Sequence, residues 1–158
     1  MRYIFQLVIS FLFLSPVFAE DSESGGENEH GAHGPHHFSV LVANTHERGA
    51  GDSLTVGLDY EYRVNKLLGV GVVAERAYGS LDATTVLAVA DIHFQGGLIM
   101  QVGPGFERRH DEEVFVARVG VLYEFEVDRF TLSPQLHWDY HNDESNTVVV
   151  GVAFGFSF

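Results

Sequence analysis

The chain has 158 residues, of which 46% are hydrophobic, and it carries a formal net charge of -13 with no cysteine. Its length and hydrophobic content suit one domain with a sizeable core, and the absence of cysteine excludes disulfides and thiolate metal sites. Nucleic acid is excluded as a class of partner, because the acidic balance repels phosphates and Lys66 is the only lysine.

The first residues are typical of a secretory signal peptide. An apolar run follows Arg2 and ends shortly before the small residue Ala19, after which we expect cleavage. The apolar run is shorter than the roughly 20 residues that a membrane-spanning helix needs. We therefore predict a signal peptide over residues 1–19 and a mature chain that begins at Glu20.

Residues 20–36 are rich in glycine, serine, acids and histidine. Such a segment buries too little apolar surface to fold, so it is predicted to be a flexible leader. Imidazoles are good ligands for divalent zinc, copper or nickel, which predicts a weak metal site at His30, His33, His36 and His37. A solvated spacer is the alternative interpretation, and no other cofactor is expected.

From residue 37 onward, polar and apolar residues alternate with a period of two. In the segment SLTVGLDYEYR (53–63) every even-numbered residue is large and apolar, which predicts a strand with one apolar and one polar face. The same alternation predicts eight strands, over residues 38–45, 53–63, 68–76, 85–94, 98–109, 114–126, 129–140 and 147–158.

The aromatic residues of the apolar faces are sorted by height along the strands. Near the short connections they are Phe38, Tyr60, Tyr62, Phe94, Tyr123, Phe125, Phe130, Phe156 and Phe158. Near the longer connections they are Tyr78, Phe106, Phe115, Trp138 and Tyr140. Two aromatic girdles around an aliphatic band are what a lipid bilayer selects for, whereas a soluble β-sandwich has no reason to sort its rings.

In lipid every backbone N–H and C=O must be paired, so a sheet that crosses the bilayer has to close. The sequence therefore predicts an all-β fold, an eight-stranded antiparallel up-and-down transmembrane β-barrel over residues 37–158. Pro104 and Pro134 lie in mid-strand, where a closed barrel offers no free edge, so we expect β-bulges at both.

The segments GLDYEYRVNKLLGVGVVAE (57–75) and VGPGFERR (102–109), with the terminal aromatic residue, resemble the small outer-membrane β-barrels of Gram-negative bacteria, the OmpA, OmpX and OmpW type. The resemblance implies localisation in the outer membrane, with lipid as a partner. In that group the last strand is the sorting signal read by the barrel-assembly machinery. The resemblance thus implies that Phe154, Phe156 and Phe158 form an assembly signal.

An eight-stranded barrel is just wide enough for side chains to fill its lumen, and charges there need partners. The polar faces predict a lumen network of Asp59, Glu61, Glu75, Asp91, His93, Glu107, Arg118, Glu124, His137 and Asp139. Arg118 on the sixth strand is expected to neighbour Glu107 on the fifth. A path for solutes or protons along these groups is the alternative to a structural network.

Catalysis is not expected from the polar residues. Ser133 and His137 lie four residues apart on one strand, about 13 Å, so the serine cannot donate to the histidine. His141 and Ser145 share a loop and could meet there. We predict an outer-membrane barrel that is structural or a narrow conduit for small solutes. The alternatives are an outer-membrane lipid-modifying enzyme and a metal-handling surface protein that uses the leader histidines.

Overall fold

The computed structural model describes residues 34–110, 112–142 and 145–158. The predicted signal peptide and most of the predicted leader lie outside these ranges, so both stay predictions. Within the described ranges, no helix has the length and apolar character needed to cross a membrane.

The described chain forms nine strands in sequence order. They are β1 (His36–Glu47), β2 (Gly51–Arg63), β3 (Leu68–Gly79), β4 (Ala83–His93), β5 (Leu98–Arg109), β6 (Glu112–Tyr123), β7 (Phe125–Val127), β8 (Phe130–His141) and β9 (Thr147–Ser157). Strands β6 and β7 pair with β8 in one common register. They are therefore two parts of one barrel strand, interrupted at Glu124, and the barrel has eight strands.

The sheet closes because the first and last strands pair along their whole length. Strand β1 is antiparallel to β9 from His37 opposite Ser157 to Glu47 opposite Thr147. At the end of this seam, the Phe158 N–H donates to the carbonyl of His36 over 2.9 Å. All other neighbours are antiparallel as well, which confirms the predicted up-and-down β-barrel.

Successive side chains alternate between the lumen and the exterior, as the pleat of a strand requires. Strand β8 shows this along its whole length, with each exposed residue followed by a buried one. Phe154 is 68% exposed and Trp138 is 50% exposed, although both are large and apolar. An exterior of this kind is stable against hydrocarbon and unfavourable against water.

Aromatic rings meet on the exterior near both ends of the barrel. Phe106 and Phe115 contact edge to face at 5.9 Å near the connections that the sequence predicts to be longer. In the structure these connections span two to five residues and those of the opposite end two to four, so the predicted difference in length is wrong. Phe156 contacts both Phe38 and Phe158 near the opposite end, with ring centroids 6.0 and 5.4 Å apart. Aliphatic side chains occupy the exterior between these levels, as the sequence predicts.

The two mid-strand prolines interrupt their hydrogen-bond ladders without forming the expected bulges. Between β4 and β5 the pairing stops beside Pro104 and resumes in the same register, so no residue is inserted. The ladder towards β8 likewise stops opposite Pro134 and resumes at Phe125 in the same register. A proline removes one N–H donor, and losing that bond interrupts the ladder without changing the register.

Apolar side chains fill the parts of the lumen that charged residues leave. One buried cluster joins Leu41, Ala43, Val149 and Ala153 where β1 meets β9. A second buried cluster on the far wall joins Val73, Leu87, Val89 and Val116. The lumen is therefore a packed core of mixed polarity.

Candidate functional site in the lumen

The centre of the lumen is occupied by Arg118, whose side chain is 1% exposed. It lies directly opposite Asp139 on β8 and donates two hydrogen bonds to that carboxylate, from Nε and Nη2, both of 2.7 Å. It also donates to Glu75 on β3, from Nη1 over 2.5 Å and from Nη2 over 2.8 Å. Two bidentate ion pairs thus span the lumen from β8 to β3, which is the strongest geometry that a guanidinium and carboxylates form.

The expected pairing of Arg118 with Glu107 is wrong. Arg118 faces Gly103 across the ladder between β5 and β6, whereas Glu107 faces Val114. Glu107 therefore lies four residues further along β5, about 13 Å from the level of Arg118. The inward direction of both side chains was predictable from the alternation, but their relative height depends on the register.

Glu107 instead belongs to a cluster at the end of the barrel where β5 connects to β6, which we call the outer cluster: Glu47, Thr85, Glu107, Arg109 and His141. Glu107 accepts hydrogen bonds from Arg109 Nε and, over 2.9 Å, from the Thr85 hydroxyl. Arg109 Nη1 also donates to Glu47 over 2.5 Å. His141 Nε2 lies 3.4 Å from Glu107 Oε1.

Sequence reasoning missed Glu47, Thr85, Arg109 and His141 as lumen residues. Glu47 and His141 end their strands, two residues beyond an inward residue of the same strand. Continuing the period of two past the predicted strand ends would have found both, because strand pairing continues into polar sequence.

Below Arg118, the amide of Gln101 joins two acidic side chains, Asp91 on the neighbouring strand β4 and Asp59 on β2. Its Nε2 donates to Asp91 Oδ1 over 3.0 Å and lies 3.2 Å from Asp59 Oδ2. On the other wall, His137 Nε2 contacts the side-chain oxygen of Gln135 at 2.7 Å. Gln101 is only 2% exposed, so this layer is as closed to solvent as the arginine above it.

The mouth of the lumen near the short connections holds the remaining predicted residues. His93 Nε2 bonds to Glu61 Oε1 at 2.6 Å. Arg63 lies 3.5 Å from Glu61 and 3.9 Å from Glu124. All the residues of the predicted lumen network therefore point inward. They form successive layers along the lumen, and the residues of each layer bond mainly to one another.

Two small cavities lie within this polar core. One, of about 20 Å³, is lined by residues that include Glu61, Asp91 and Glu124. The other, of about 10 Å³, lies beside Arg118 and Glu75. Asp59 and Gln101 line both cavities, each of which has room for about one water molecule.

The leader histidines are only partly described. His36 and His37 are adjacent on β1 and face opposite sides of the wall: His36 Nδ1 bonds to the Tyr60 hydroxyl at 2.7 Å, whereas His37 Nε2 bonds to Thr131 at 2.9 Å. His30 and His33 lie outside the described residues. Among the described residues, no group of three histidines and acids is arranged to hold a metal ion. The weak metal site stays a prediction.

The inward polar residues of β8 bond to different partners. His137 bonds to Gln135 and Asp139 bonds to Arg118, so neither of these contacts involves Ser133. Ser133 lines the larger lumen cavity instead. The geometry brings no serine, histidine and acid of this strand together as a catalytic triad.

No protein-family model matches the sequence, and no curated protein sequence matches it. Solved structures do match the fold. Neisserial surface protein A superimposes with a TM-score of 0.60 at 14% identity, over 81% of this chain and 100% of that chain. The N-terminal β-barrel domain of Pseudomonas aeruginosa OprF gives 0.58 at 15% identity, over 77% and 97%. The attachment invasion locus protein Ail of Yersinia pestis gives 0.53 at 12% identity, over 78% and 96%.

These similarities concern the fold, since the identities are low. They agree with the closed ladder of eight strands and with the apolar exterior. They confirm, at the level of the fold, the resemblance to small outer-membrane β-barrels that the sequence suggests. The chain has the fold of the small eight-stranded outer-membrane β-barrel proteins.

Proposed function

We propose that this protein is an integral outer-membrane barrel with an occluded lumen, and that it acts as a structural component of the envelope. The membrane placement is supported by the apolar exterior and by the closure of the sheet. The connections from β1 to β2, β3 to β4, β5 to β6 and β8 to β9 span only two to five residues, which leaves little surface for capturing a large ligand.

The observation that carries the occluded lumen is the arginine layer. Arg118, Glu75 and Asp139 are each less than 5% exposed and span the barrel from β3 to β8. The outer cluster lies above this layer and the Gln101 layer below it. A solute would have to break several charge-assisted hydrogen bonds in low dielectric to pass.

Conductance across a planar bilayer tests the proposal. The unmodified barrel, once inserted, is expected to show no stable stepwise current, because no water-filled path continues past Arg118. Insertion is established independently by the change in gel mobility on boiling, since a closed hydrogen-bond ladder resists detergent until it is heated. A large, long-lived conductance of the inserted protein would contradict the occluded lumen.

A narrow conduit for protons or water is the second candidate. The two water-sized cavities favour it, because they follow one another along the lumen and share Asp59 and Gln101. Vesicles that hold a pH gradient and a trapped pH dye separate the candidates. Protein-dependent collapse of the gradient, slowed by Gln101→Leu, would support the conduit, and an unchanged gradient would support the structural barrel.

A further inference from the structure

Two arginines interrupt the apolar exterior on one side of the barrel. The side chains of Arg76 on β3 and Arg108 on β5 are 38% and 52% exposed. The other arginines of the described strands, Arg63, Arg109 and Arg118, contact carboxylates of the lumen. The arginine charge on the exterior of the strands is therefore concentrated on this side.

The two arginines belong to one row across neighbouring strands. Arg76 lies directly opposite Thr84 on β4, and Thr84 lies directly opposite Arg108. Arg76 Nη1 donates to the Thr84 hydroxyl over 2.9 Å, and its guanidinium lies 5.7 Å from the ring centre of Tyr78. Tyr78 and Phe106 place the row at the level of an aromatic girdle, where lipid headgroups lie.

Asp82 and Glu113 form exposed ion pairs with the two arginines. Arg76 Nη2 donates to Asp82, and Arg108 Nη2 lies 3.6 Å from Glu113. Both acids are more than 40% exposed, and exposed ion pairs contribute little to stability. The contacts of Arg76 with Thr84 and Asp82 use two of its five N–H groups, so a further acceptor can bind.

An apolar groove lies on the same strands, deeper in the bilayer. It is shallow and open, and its outward lining consists of Val70, Ala88, Ala90, Val102, Pro104 and Ala117. Ala88 follows Thr84 by four residues, and Pro104 precedes Arg108 by four, which puts the groove about 13 Å below the row. Small side chains make the depression, and at this depth only hydrocarbon can fill it.

We propose that this face binds one anionic membrane lipid, with its phosphate at Arg76 and Arg108 and an acyl chain in the groove. The inference rests on the proposed membrane placement. Phosphate oxygens accept charge-assisted hydrogen bonds from guanidinium groups, and the groove gains dispersion contacts from the chain. The arginine row and the apolar groove thus lie on the same strands, β3 to β5. They are about 13 Å apart along the strands, so one lipid can place its phosphate at the row and its acyl chain in the groove.

Titration of the refolded full-length chain with phosphatidic acid, followed by native mass spectrometry from detergent micelles, tests the site. We expect one retained phosphatidic acid and no comparable retention of zwitterionic phosphatidylcholine. The double variant Arg76→Gln with Arg108→Gln should bind roughly 30-fold more weakly. The matched control, Lys66→Gln with Arg129→Gln, removes two exposed turn cations and should leave the affinity unchanged.

A second pair of variants tests the groove. Ala88→Phe fills it and should weaken binding of the acyl chain, whereas Val150→Phe on the exterior of β9 should have no effect. Equal retention by the arginine variant and its control would overturn the inference. Displacement of the lipid by inorganic phosphate at similar concentration would also overturn it, by showing a free-phosphate site.

The same samples separate this inference from the proposed function. Each variant is first inserted into phosphatidylcholine vesicles and checked by its gel mobility before and after boiling. An unmodified chain that does not insert would contradict the membrane placement, and the lipid site with it. An inserted chain without preference for phosphatidic acid would contradict the lipid site alone.

Discussion

Replacing Arg118 with alanine is expected to destabilise the folded barrel by about 3–5 kcal/mol. The substitution leaves the carboxylates of Glu75 and Asp139, which are 4% and 3% exposed, without their shared partner. Burying an unpaired charge costs far more than an ion pair contributes. Urea unfolding in detergent micelles measures the effect through the fluorescence of Trp138, the only tryptophan in the chain.

Two further variants define the cause. Arg63→Ala should cost less than about 1 kcal/mol, because Arg63 is 33% exposed and lies at 3.5 and 3.9 Å from its partners. Combining Arg118→Met with Glu75→Gln and Asp139→Asn should recover much of the lost stability, since no buried charge remains unpaired. Equal losses for Arg118→Ala and Arg63→Ala would contradict the expected cost of leaving buried carboxylates without a partner.

Replacing Phe158 with glutamine is expected to reduce the amount of assembled barrel in the outer membrane several-fold. The reason is the predicted role of Phe154, Phe156 and Phe158 as a signal for the barrel-assembly machinery. Phe158 is 57% exposed, and its ring contacts those of Phe156 and His36, so its loss removes packing on the exterior and leaves the lumen intact. Assembly is measured as the heat-modifiable fraction of the protein in isolated outer membranes.

Ser157→Gln is the matched control, because it changes the neighbouring residue of the same strand end and leaves the ring in place. Both variants should refold equally well in detergent without assembly factors, which separates recognition from stability. Equal assembly of both variants in cells would contradict the signal. Equal defects of both in detergent would assign the effect to the β1–β9 seam instead.

The alternation of residues predicts the strands and their two faces, and the sorting of the aromatic rings by height predicts that these strands form a membrane barrel. The sequence predicts strand β5 over residues 98–109, and it spans Leu98–Arg109. For strand β1 the sequence predicts residues 38–45, but the strand spans His36–Glu47 because its pairing with β2 continues into polar sequence. A strand turns each successive side chain to the opposite face, so the order of residues suffices to assign lumen and exterior.

The tertiary structure alone decided which lumen charges meet. Arg118 and Glu75 are 43 residues apart in the sequence and lie on strands that are not neighbours, yet closure of the barrel brings them within 2.5 Å. Alternation predicts that both point inward, but their relative height depends on the stagger of the strands around the barrel. If one strand shifts by two residues relative to its neighbour, each of its side chains still points to the same face of the sheet but moves by about 7 Å along the strand. For that reason the inward direction of Glu107 is readable from the sequence, whereas its contacts with Thr85 on β4 and His141 on β8 are seen only in the closed sheet.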